Sequence, residues 1–126
     1  MTSKSLLCLV SMVGLMLGAQ SALAASTAVR EMAGIMAHLE HYPSDAEKAK
    51  LKGIVISKDS TEQERVLASA ISHFKHNVDA KDVDKLKKVM GDAAAPAEVR
   101  DLAGIVLSIS HMPSAEDKIK LENIMK

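Results

Sequence analysis

The fold is decided by the stretch Val29-Arg-Glu-Met-Ala-Gly-Ile35 and its near-copy Val99-Arg-Asp-Leu-Ala-Gly-Ile105. A more divergent copy lies midway between them. The same positions therefore return every 35 residues without a gap. The residues that match in all three copies are Arg30, Arg65 and Arg100; Ala33, Ala68 and Ala103; His41, His76 and His111; Lys50, Lys85 and Lys120; and Leu51, Leu86 and Leu121. A fixed period of this length is typical of stacked supersecondary units. The sequence predicts one domain, residues 25–126, built from units at about 26–60, 61–95 and 96–126.

Apolar side chains within each copy fall at helical spacing. In the first half of the copies they are Met32, Ile35, Met36 and Leu39; Leu67, Ala70, Ile71 and Phe74; and Leu102, Ile105, Val106 and Ile109. In the second half they are Leu51, Ile54 and Val55; Val83, Leu86 and Met90; and Leu121, Ile124 and Met125. We therefore predict an all-α fold of three tandem helical hairpins, six helices in total, which form a short α-solenoid-like stack or a closed helical bundle.

Capping residues predict where the second helix of each unit begins. A cap and an acid three residues later occur at Ser44 with Glu47, Asp79 with Asp82, and Ser114 with Asp117. The cap oxygen can accept a backbone N–H, and the acid favours the positive end of the helix. The first helices share a second feature, a small residue at one register, namely Gly34, Ser69 and Gly104. We expect this register to let two helices approach closely.

Residues 1–24 are predicted to be a cleaved secretory signal peptide. Lys4 precedes an apolar run from Leu6 to Gly18, and small residues at Ala22 and Ala24 follow it. Cleavage after Ala24 removes Cys8, the chain's one cysteine, and leaves a domain without disulfides. We expect a periplasmic or secreted protein with no stable membrane insertion after cleavage, because the run is shorter than the ~20 residues that a bilayer requires.

Composition excludes several classes of function. The 126 residues carry 16 Lys and Arg against 16 Asp and Glu, with only two aromatic residues, Tyr42 and Phe74. A neutral chain with so few aromatic rings lacks the basic surface and the stacking platforms of a nucleic-acid-binding protein. Nucleophile, phosphate-loop and haem motifs are also missing, so we expect no enzymatic activity and no catalytic or cofactor-binding residues.

The histidines are the one constellation with possible chemistry, and they allow two interpretations. His38 with His41 and His73 with His76 form two His-x-x-His pairs, and neighbours on a helix could offer two imidazoles each to a Zn, Cu or Ni ion. The other interpretation uses the positions His41, His76 and His111, which repeat in every copy. In it, these three lie in the last turn of each first helix and stabilise the negative helix end.

A non-enzymatic role in protein–protein interaction or self-association is the function that the pattern favours, because short helical stacks present extended surfaces. A terminal unit that ends in Ile124 and Met125 would expose apolar surface unless a partner covers it or the bundle closes. A homodimer or an unidentified protein partner is therefore expected. The alternative is a small metal- or ligand-binding protein that uses the histidine pairs.

The signal-peptide prediction can be tested by mass. We expect the full chain, expressed in a bacterium with a Sec pathway, to be recovered outside the cytoplasm with an intact mass that begins at Ala25. Recovery of the uncleaved chain from the membrane fraction would contradict this expectation.

Overall fold

The computed structural model describes residues 25–126, and this part of the chain is all-α, as predicted. The helices are α1 (Thr27–Ala37), α2 (Asp45–Ile56), α3 (Glu62–Ser72), α4 (Ala80–Met90), α5 (Ala97–Ser108) and α6 (Ala115–Met125). Their starting residues repeat with the 35-residue period of the sequence. The predicted signal peptide falls on residues 1–24, which lie outside the described residues. Within residues 25–126, each helix is too short or too polar to span a bilayer.

The first helices of the three units form the centre of the molecule. Helices α1, α3 and α5 all contact one another, and each second helix packs mainly on the first helix of the next unit. Thus α2 packs on α3, α4 packs on α5, and α6 returns to pack on α1. This last contact closes a ring with approximate three-fold symmetry, so the fold is a closed bundle and not an open stack.

Closure also removes the apolar end that the sequence suggested. Leu121 is 0% exposed and Ile124 is 6% exposed, because α6 lies against α1. The terminal helix therefore has a partner within the chain. Little of its apolar stripe is left exposed, and self-association stays a prediction.

All predicted stripe residues of the first helices are buried, whereas on the second helices Val55, Val83 and Met125 are half-buried and α4 departs most from the pattern. Met90 is 45% exposed there, whereas Val89 is 5% exposed and belongs to the core. The repeat itself points to Val89, which lies 35 residues after Ile54 and before Ile124. Met90 instead lies at the edge of its helix, with its sulfur beside Gly104.

Two of the three small residues of the shared register, Gly34 and Gly104, mark close approaches between helices, as predicted. A Cβ at Gly34 would meet the Met125 Sδ at 3.4 Å, and one at Gly104 would meet the Met90 Sδ at 3.4 Å. In both cases the neighbour is the second helix of the preceding unit, and for Gly34 that unit is the last one of the chain. The small-residue register is thus part of the contact that closes the ring.

Capping boxes begin three of the helices, and two of the three were predicted. The reciprocal pairs are Ser44 with Glu47, Thr61 with Glu64, and Ser114 with Asp117. The middle predicted pair does not form: Asp79 accepts the Lys81 N–H, and Asp82 contacts His73 instead. The divergent middle copy therefore keeps Asp79 as the cap of α4 but uses Asp82 for a contact with His73 at the end of α3.

Polar contacts join the units at the N-terminal ends of the first helices. The Ser26 hydroxyl donates to the Glu64 carboxylate, and the Gln63 amide donates to Asp92 at 3.0 Å. Hydrogen bonds from the Ala94 N–H and from Gln63 hold the pKa of the Asp92 carboxyl below its usual value. These contacts fix one end of the bundle, and the histidines lie at the other.

Ring closure predicts that the last helix contributes as much stability as an internal one. Leu51 and Leu121 are equivalent residues and both are fully buried. We expect Leu51→Ala and Leu121→Ala to lower the free energy of unfolding by similar amounts, about 2–5 kcal/mol each. Urea denaturation measures both. A cost at Leu121 several-fold below the cost at Leu51 would contradict closure.

Candidate metal centre

The chain leaves each first helix before it reaches the repeated histidine. The helices end at Ala37, Ser72 and Ser108, so the prediction that His41, His76 and His111 lie in the last helical turn is wrong. In the first and third units a buried proline follows the histidine after one residue, as Pro43 and Pro113. A residue before proline is kept out of the helical conformation, and the helix has to end upstream of it.

Each of the three histidines is the centre of a tight turn. Their φ angles are 70° at His41, 62° at His76 and 68° at His111. The residue after each histidine donates its N–H to the carbonyl of the residue before it: Tyr42 to Glu40 at 2.8 Å, Asn77 to Lys75 at 2.6 Å, and Met112 to Ser110 at 2.8 Å. A positive φ within a three-residue hydrogen-bonded turn is the classic γ-turn, which is rare and strained. Glycine adopts positive φ without steric cost, yet all three positions carry histidine.

A cyclic set of hydrogen bonds joins the three turns. The His41 N–H donates to the His111 carbonyl at 2.8 Å, the His76 N–H to the His41 carbonyl at 2.6 Å, and the His111 N–H to the His76 carbonyl at 2.6 Å. Every backbone N–H and C=O of these residues is used within this set. Because the set links the first unit to the third, it forms only in the closed bundle.

The three imidazoles converge on the approximate three-fold axis. The His76 Nδ1 lies 3.3 Å from the His41 Nδ1 and 3.0 Å from the His111 Nδ1. The rings meet edge to face, with centroid separations of 5.0, 5.0 and 5.6 Å. One ligand atom from each residue lies within 4.8 Å of the other two, and all three side chains are exposed. We call this cluster the three-histidine centre.

The arrangement of nitrogen atoms fits a cation better than it fits hydrogen bonding alone. A neutral imidazole nitrogen carries either one proton or one lone pair in the plane of the ring. The His76 Nδ1 takes part in both short contacts, so a single proton there cannot point straight at both neighbours. Three lone pairs around one ion remove this conflict. Zn–N bonds of about 2.0–2.1 Å in a tetrahedral site place the nitrogens about 3.4 Å apart, close to the separations observed.

The other two histidines have separate contacts. The His38 Nδ1 lies 2.9 Å from the Gly34 carbonyl oxygen, and the His73 Nδ1 lies 3.0 Å from an oxygen of the buried Asp82 carboxylate. Of the four ligands expected from the sequence, the structure brings together His41 and His76. His38 and His73 lie outside the cluster, and His111 completes it. Within residues 25–126, no other group of three or more His, Cys, Asp or Glu residues could hold a metal ion.

The signal that identifies His111 was present in the sequence. His41, His76 and His111 share one register of the repeat, whereas the third copy carries Ser108 in place of His38 and His73. In a ring of three units, residues of one register surround a common axis, and these three meet on it because their turns are hydrogen-bonded to one another. The His-x-x-His spacing does not indicate this relation, because it pairs residues that are neighbours along the chain.

Backbone strain at the centre predicts an unusual effect of substitution. We expect His76→Gly to raise the free energy of unfolding of metal-free protein by roughly 1 kcal/mol. The relief of about 1–3 kcal/mol of strain exceeds the about 0.4–1 kcal/mol that glycine adds in unfolded-state entropy. Urea denaturation in the presence of EDTA measures this difference.

His73→Gly is the matched control. It removes the imidazole that contacts the buried Asp82 carboxylate. The φ of His73 is −90°, so glycine relieves no backbone strain there, and we expect lower stability. A loss of stability in His76→Gly as large as that in His73→Gly would show that His76 is a structural residue.

Comparison of the chain with protein-family models, with curated proteins and with solved structures finds no match.

Proposed function

We propose that this chain is an exported metal-binding protein that holds one Zn, Cu or Ni ion at the three-histidine centre. The observation that carries the proposal is the convergence of three Nδ1 atoms, one from each unit, on the axis of the bundle. Imidazole nitrogen is a ligand that suits these three metals. The proposal keeps His41 and His76 from the sequence-based ligand set and replaces His38 and His73 by His111.

Retention of histidine in the divergent unit supports a role for the side chain. The middle copy carries Ser69 where the others have glycine, and Val78-Asp79 where they have proline and serine. His76 is nevertheless unchanged, in a conformation that glycine would adopt at lower cost. A position that is strained in every unit and still occupied by histidine is explained by the imidazole.

The composition of the centre favours an exchangeable ion over a structural one. Structural zinc sites are closed by four protein ligands, whereas this cluster offers three, all of them exposed. The described residues share one continuous apolar core, to which the three histidines do not belong. These features suit a protein that takes up and releases metal outside the cytoplasm.

Protein–protein interaction stays a prediction beside this proposal. The observation that favours it is the exposure of Tyr42 and Met112, which follow two of the histidines and are 57% and 50% exposed. The expectation of no enzymatic activity likewise stays a prediction.

Metal affinity tests the proposal directly. We expect dilute, metal-free protein to bind Zn²⁺ in competition with a chromophoric chelator, and His76→Gly to weaken binding at least about 100-fold, because even outer-shell partners of metal ligands contribute 10–100-fold. His41→Gly and His111→Gly should behave alike. Nitrogen-15 spectra of the imidazoles should show Zn²⁺ on the Nδ1 atoms of these three residues.

The double variant His38→Ala, His73→Ala is the control. Its two residues lie outside the cluster, so it should bind Zn²⁺ as the unmodified chain does. Loss of binding in this variant, with binding retained in His76→Gly, would contradict the proposal and restore the two His-x-x-His pairs as ligands.

A further inference from the structure

The surface around the three-histidine centre repeats in shape but not in charge. The residues before the histidines are Glu40, Lys75 and Ser110, and all three side chains are exposed. The three units therefore place an acid, a base and a neutral residue at equivalent positions around the axis. Neither Glu40 nor Lys75 takes part in an ion pair within residues 25–126. We call these three residues the rim.

An ion at the centre would have one side free. The three Nδ1 ligands approach it from the bundle, and within residues 25–126 no other His, Cys, Asp or Glu joins the cluster. Ions that take more than three ligands must obtain the others from water or from a second molecule. The centre lies at an exposed end of the bundle, so a second molecule can reach it.

The charge pattern of the rim is complementary to itself. Consider a two-fold axis that is perpendicular to the three-fold axis of the bundle and points toward Ser110. Rotation about it carries Glu40 to the angular position of Lys75 and carries Lys75 to that of Glu40. Two copies placed face to face in this way oppose each Glu40 to Lys75 of the second copy, and Ser110 to its own equivalent. This is the requirement of an isologous interface, in which the same surface serves both partners. Within the rim, no residue then faces a like charge of the second copy.

We infer that two copies of this chain join face to face around one shared metal ion, with three histidines contributed by each. The inference rests on the proposed function, because the ion is the link between the copies. Contact of the two ends also covers Tyr42 and Met112, which are two of the five large apolar side chains most exposed within residues 25–126. Both residues flank the histidines, so metal binding and apolar burial act at one surface.

Sedimentation velocity with Ni²⁺ tests this inference, since Ni²⁺ accepts six ligands and binds imidazole. The unmodified chain should be a monomer in EDTA and a dimer in NiCl2, with one nickel for two chains. Lys75→Glu should bind nickel but raise the dimer dissociation constant at least about tenfold, because two pairs of like charges then face each other. Glu40→Lys should do the same.

Charge exchange supplies the matched control. An equimolar mixture of Glu40→Lys and Lys75→Glu should form nickel-dependent heterodimers, because each glutamate again opposes a lysine. The double variant Glu40→Lys, Lys75→Glu should regain the homodimer. Recovery in both experiments would identify this orientation of the two copies.

The two proposals fail in different ways. A monomer that binds one nickel per chain would overturn the shared site and leave the metal centre in place. A chain that binds no nickel and no zinc would overturn both. A nickel-dependent dimer that is unaffected by Lys75→Glu and by Glu40→Lys would overturn the orientation derived from the rim.

Discussion

The packing of α6 against α1 is the constraint on which the rest of the structure depends. It brings the first and third units together, so that three units surround one axis. Only then can the His41 N–H reach the His111 carbonyl and complete the cyclic hydrogen bonds. The same closure buries Leu121 and brings the three imidazoles to one point. An open stack of the same hairpins would bury similar side chains along its length and would have no such point.

Closure lets the fold hold a strained backbone at the three histidines. A γ-turn at each histidine costs about 1–3 kcal/mol, and the three turns together approach the stability margin of a small domain. The cyclic hydrogen bonds fix the turns. The fully buried Phe74, two residues before His76, anchors the middle turn to the core. The free energy gained by burying the continuous apolar core offsets this strain. The result is a set of three imidazoles whose positions are held by the backbone, so an ion of the proposed kind would need to order them little.

Most of the fold was predictable because it follows from short-range patterns in the sequence. The 35-residue period, the helical spacing of apolar side chains and the caps at Ser44 and Ser114 each act over a few residues, so they can be read along the chain. On α4 the helical spacing alone indicates Met90, whereas the 35-residue register with Ile54 and Ile124 indicates Val89, which is the buried residue.

The site was less predictable, because it depends on contacts between units. The His-x-x-His spacing suggested pairs on one helix, but His38 ends α1 and His41 lies beyond it. Positive φ is signalled by glycine in most sequences, and histidine gives no such signal. Whether three units stack or close also cannot be read from their spacing. Once closure is known, the shared register of His41, His76 and His111 predicts that they surround one axis, but it does not give their distance from that axis.

Anomalous diffraction from crystals grown with ZnCl2 would test the central claim most directly. The account predicts one strong peak on the axis of the bundle, about 2.0–2.1 Å from the Nδ1 atoms of His41, His76 and His111. It also predicts that the three γ-turns keep their positive φ. A peak beside His73 and Asp82, or coordination by fewer than three of these histidines, would contradict it.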